Sequence, residues 1–61
     1  MTSNEIYETM TKLWTEFSDN HTKFVDKGNR AAATRARKAI GEIKKMVTDY
    51  RKESVTESKR S

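Results

Sequence analysis

Two stretches of this sequence place apolar side chains at alternating steps of four and three residues. In the first they are Ile6, Met10, Leu13, Phe17, then Asn20 or His21, then Phe24. In the second they are Ala33, Ala36, Ile40, Ile43, Val47 and Tyr50, with Ser54 continuing the row. That is the 3.5-residue period of one helix packed along another, and not the two-residue period of a strand. Proline is absent, and Gly28 and Gly41 are the only glycines, so little interrupts either run.

The end signals fit the same reading. Thr2 and Glu5 have the spacing of a capping box, with Ser3 and Asn4 as rival caps. Gly28 supplies a C-terminal cap that tolerates positive φ, and Asn29 is a good N-cap for a second helix. The sequence predicts one domain over residues 1–61. The first helix spans about 3–26, the turn 27–29 and the second helix about 30–54, with a frayed tail over 55–61 where the apolar period is lost. Folding back at Gly28-Asn29 pairs Phe24 with Ala33, His21 with Ala36 and Phe17 with Ile40. Farther out it pairs Leu13 with Ile43, Met10 with Val47 and Ile6 with Tyr50. The fold class expected is all-α, an antiparallel two-helix coiled-coil hairpin.

Beside each seam runs a further row at seven-residue spacing: Tyr7, Trp14 and His21 on the first helix, Ala32, Ala39 and Met46 on the second. One hairpin does not cover faces this wide. A chain of 61 residues with no cysteine also lacks the staples that small domains rely on. These six residues are therefore the expected oligomer interface, and a homo-oligomer, a dimer of hairpins forming a four-helix bundle, is the expected assembly.

Charge is shared unequally. The formal net charge is +4, but residues 1–26 hold two lysines against five carboxylates, and residues 27–61 eleven basic residues against four acids. On the second helix Arg30, Arg37, Lys44 and Arg51 fall seven apart, as do Lys38, Lys45 and Lys52. Residues seven apart stack in a row on such a helix, so these form two parallel basic rails. A row of small residues, Thr34, Gly41 and Thr48, lies between them. Cationic edges with a low centre suit the phosphates of a polyanion, the threonine hydroxyls being further candidate donors to phosphate. The expected partner is double-stranded DNA, held by its phosphate backbone without base reading. No helix-turn-helix spacing, zinc-ligand set or exposed aromatic platform is present in the sequence.

Other functions fit less well. There is no nucleophile–base pair and no glycine-rich phosphate loop, so an enzyme, a small-molecule substrate and a cofactor are not expected. A single histidine does not make a metal site, and His21 reads as a packing residue. A membrane-surface role fails because the apolar rows are used in helix pairing and none lies beside the rails. The start MTSNEIYE lacks the features of a signal peptide, which gives a cytoplasmic expectation. The alternative from another class is a homo-oligomeric helical module whose basic face docks an acidic protein.

Residues 23–54, KFVDKGNRAAATRARKAIGEIKKMVTDYRKES, resemble the chlamydial histone H1-like protein family and its short bacterial relatives. The most specific pieces are KGNRAAATRARK at 27–38 and YRKES at 50–54. The match covers about half of the chain, and the first helix matches only in character. The resemblance implies a small basic DNA-binding protein that organises the nucleoid. Carried over by position, it implies DNA contact by Lys27, Arg30, Arg35, Arg37, Lys38, Arg51 and Lys52; the rails add Lys44 and Lys45. Chlamydial members continue into a long Lys/Ala-rich tail that this sequence does not contain, so the likeness is to their helical N-terminal part.

Overall fold

The computed structural model describes residues 2–60. Helix α1 covers Ser3–Lys27 and helix α2 covers Arg30–Arg60, and the two pack side by side as an antiparallel rod. Its Cα extents are 48 × 14 × 13 Å. Each end has its chemical cause. The Thr2 hydroxyl accepts from the Glu5 amide at 3.2 Å, and the Glu5 carboxylate accepts from the Thr2 amide at 3.2 Å. This box satisfies two of the amides that a helix start leaves unpaired. It also holds the Glu5 carboxyl below the ordinary glutamate range, chiefly through the Thr2 backbone bond and then the Thr2 hydroxyl.

At the other end of α1, Gly28 adopts φ 64° and ψ 28°, and its amide donates to the Phe24 carbonyl at 2.9 Å. A left-handed residue here turns the chain back within two positions. Asn29 then caps α2, its Oδ1 accepting from the Ala32 amide at 3.1 Å. Among the described residues, hydrogen bonds cross between the helices from Arg35 to Asn20 and from Ser3 to Glu57. Both lie within one helical turn of a register symmetric about Gly28-Asn29.

The buried face of α2 differs from the expected one by one row. Ala33 and Ala36 are buried and Ile43 half-buried as expected, but Ala32, Ala39 and Met46 join them in place of Ile40 and Val47. Ala32 and Ala39 are 0% and 2% exposed, while Ile40 and Val47 are 38% and 42% exposed. The tight turn forces the two backbones together, and a helix face of alanines permits that approach where branched side chains would hold it off. Hydrophobicity alone favours Ile40 and Val47, which is why the expected row fails at these two positions, though Ala33 of the same row is buried. On α1 the structure selects Asn20, buried, over His21, exposed. Among the described residues only Ile6 of the large side chains is fully buried, contributing about 2 kcal/mol.

The expected tail is a second correction. Helix α2 does not fray at residue 55 but continues to Arg60; Ser61, like Met1, lies outside the described residues. Glu53, Ser54 and Glu57 are half-buried, and Glu57 is bound at the start of α1. Polar anchoring replaces the apolar seam over these last turns, so the apolar period could not reveal them.

Candidate nucleic-acid interface

The seam of α2 is formed by the rows through Ala36-Ile43 and Ala32-Ala39-Met46. Helical geometry then fixes the opposite ridge, which falls on Thr34, Gly41, Thr48 and Val55. Arg30, Arg37, Lys44 and Arg51 flank that ridge on one side. Lys38, Lys45 and Lys52 flank it on the other, and all seven are exposed. Because α2 runs past residue 54, Lys59 extends the lysine rail by one step and is exposed as well. It lay outside the expected rails because the tail was expected to fray. Successive rail residues stand about 10.5 Å apart along the axis, so Arg30 to Arg51 spans roughly 31 Å.

Among the described residues none of these rail side chains is ion-paired. The one contact within the ridge is the Arg37 Nη2 group donating to the Thr34 hydroxyl at 3.3 Å. That hydroxyl in turn donates to the Arg30 carbonyl at 3.3 Å, so Thr34 offers no proton to a phosphate in this conformation. Gly41 sits half-buried between the rails, and a Cβ built there meets nothing within 4 Å.

Two residues expected at this site stand elsewhere. Arg35 lies on the flank of α2 nearer α1, where its Nε donates to Asn20 Oδ1 at 2.8 Å. The amide of Asn20 is itself held by donating to the Glu16 carbonyl at 2.8 Å. This pairing uses the one buried polar side chain in the described core and makes Arg35 a link between helices. Lys27 is exposed at the last position of α1, beside the turn and away from the rails.

The expected oligomer interface also divides. Tyr7 and Trp14 are 61% and 55% exposed, and His21 is exposed with its ring stacked on Phe17 at 6.0 Å. Ala32 and Ala39 are consumed within the hairpin and Met46 is half-buried there, so the α2 half of that expectation is corrected. The exposed apolar residues on α2 are instead Ile40, Val47 and Tyr50, with Val55 on the outer ridge.

Among the described residues no three His, Cys, Asp or Glu side chains gather where a metal ion would sit. No helix over them is long and apolar enough to cross a membrane. Comparison with curated proteins returned no match, and neither did comparison with solved structures. A family model described as "Histone H1-like protein Hc1" matches residues 4–60, which takes in both helices, the turn and every rail position. A hairpin carrying eight of its cations along one ridge and matched over residues 4–60 in this way is a member of the histone H1-like protein Hc1 family.

Proposed function

We propose that this chain is a sequence-nonspecific DNA-binding protein of the nucleoid, contacting phosphates through the outer ridge of α2. Membership in a histone H1-like family supports DNA binding and a structural rather than enzymatic role. The observation that carries the finer reading is the ridge itself, with eight exposed lysines and arginines in two rows and none ion-paired among the described residues. Free cations spaced along a straight helix release counterions from a duplex wherever they meet phosphates, whatever the base sequence. The centre of the ridge offers short side chains and no long Asn- or Gln-like group to reach base edges past the phosphates, so affinity without sequence preference is expected.

The test is competition between unrelated duplexes of equal length, with the native chain and with Arg37, Lys38, Lys44 and Lys45 changed to glutamine. Equal competition by all sequences, and binding weakened by the four substitutions with helix content unchanged, is the expected result. Binding that tracks one sequence, or that ignores the substitutions, contradicts the proposal. Co-purification with an acidic protein and no duplex shift at low salt would favour the protein-docking alternative.

A further inference from the structure

The threonines inside these helices follow one habit, and Thr48 breaks it. The hydroxyls of Thr9, Thr11, Thr15, Thr22, Thr34 and Thr56 each donate to the carbonyl four residues earlier, at 2.9–3.3 Å. That is the bond a helical threonine commonly makes to its own backbone. Thr48 is exposed, and among the described residues its hydroxyl makes no hydrogen bond.

Its neighbours on the helix surface are all cations. Residues three and four away share a face, and around Thr48 these are Lys44, Lys45, Arg51 and Lys52, each exposed. They stand roughly 4.5–6 Å from it along the axis, two towards each end. Thr48, Arg51 and Lys52 also line a shallow open hollow of about 650 Å³, together with Glu53, Val55 and Thr56. Glu53 is the one acid there, half-buried; five residues along from Thr48, it lies round the helix from the hydroxyl. We propose that Thr48 binds a phosphate oxygen of a duplex backbone, its hydroxyl donating while the surrounding cations hold the charge. The inference rests on the DNA reading above and adds one directional contact to a ridge otherwise held by charge.

Comparison along the ridge shows why this position is singled out. Thr34 has Arg30, Arg37 and Lys38 at the same spacings, with Ala31 in the fourth place. Its hydroxyl is engaged twice over, donating to the Arg30 carbonyl and accepting from the Arg37 guanidinium. Gly41 has four cationic neighbours, Arg37, Lys38, Lys44 and Lys45, but no side chain with which to donate. Only Thr48 of the three joins four cations to a free donor. The difference has a physical consequence. Lysine and arginine attract phosphate over a distance and from many directions, whereas a hydroxyl must meet its oxygen in line at about 2.7 Å. A contact of that kind fixes how a helix lies on the duplex without reading a base. Docking is therefore registered from the C-terminal half of α2.

The test compares duplex binding across a salt series for the native chain, Thr48→Val, Thr34→Val and Thr48→Ser. Valine keeps the branched shape and a similar helix propensity, and it removes no charge. Thr48→Val should weaken binding about 5- to 10-fold, as expected for one hydrogen bond lost to a charged acceptor in a wet interface. Its salt slope should stay that of the native chain, because no cation–phosphate contact is removed; Lys45→Gln should instead make the slope shallower by about 0.9. Thr48→Ser, which keeps the hydroxyl, should bind like the native chain, and so should Thr34→Val. Native affinity in Thr48→Val, an equal loss in Thr34→Val, or a serine variant as weak as the valine one overturns the role of Thr48 and leaves the DNA reading standing. A native chain that binds no duplex even at low salt overturns both.

Discussion

Glu57, near the end of α2, closes the beginning of α1: its carboxylate accepts from the Ser3 amide at 2.7 Å and from the Ser3 hydroxyl at 2.6 Å. Charge-assisted bonds at a helix N-terminus also gain from the helix dipole. Glu57→Ala is expected to cost about 1–2 kcal/mol, the half-buried setting keeping the loss below that of a fully buried pair. Hydrogen exchange should show the loss first in the last turns of α2. Unchanged protection there would mean that the contact does not hold the end of the helix.

Asn20 and Arg35 form the polar link inside the hairpin. Removing the Asn20 side chain leaves the Arg35 guanidinium without its acceptor, so Asn20→Ala should cost about 1–2 kcal/mol in chemical denaturation. A double-mutant cycle with Arg35→Ala should give a coupling of about 1 kcal/mol. Arg35→Ala should therefore act on stability far more than on the salt dependence of DNA binding, the reverse of Lys45→Gln.

The two glycines should respond in opposite directions. Gly28 needs its positive φ, and Gly28→Ala should destabilise by about 1–2 kcal/mol. Gly41 is mid-helix with open space around the added methyl, so Gly41→Ala should stabilise by about 1 kcal/mol. Thermal melts of both variants check the pair of signs together.

Acid should loosen the start of α1. The folded-state pKa of Glu5 is lowered by its bonds to Thr2, so its contribution is present above the unfolded value and lost as pH falls through the folded one. Carboxyl chemical shifts tracked by NMR should show Glu5 titrating below the ordinary glutamate range, and Glu5→Gln should remove the corresponding pH dependence of protection at the first turn.

The hairpin was legible because its signals were local and redundant: the capping box at Thr2 and Glu5, the left-handed Gly28, the Asn29 cap and two seams sharing one midpoint. The rails were legible as rows, since seven-residue spacing alone fixes which cations share a side. What stayed hidden depended on contact between distant residues. Two heptad rows competed for the α2 seam, and only backbone proximity near the turn favours Ala32 and Ala39 over Ile40 and Val47. Arg35 looked like its basic neighbours until Asn20 came within 2.8 Å of it. Glu57 carries no apolar signal, so the last turns of α2, and Lys59 with them, read as tail.

The claim on which the function rests is that the ridge of α2 meets phosphate, and the salt dependence of duplex binding tests it most directly. Seven rail cations from Arg30 to Lys52, all engaged, predict a slope of log affinity against log salt of about −6 for one chain. Changing Lys38, Lys45 and Lys52 to glutamine should make that slope shallower by about 2.7 while leaving the helix content intact. A slope near zero, or one that the three substitutions leave unmoved, would contradict the account.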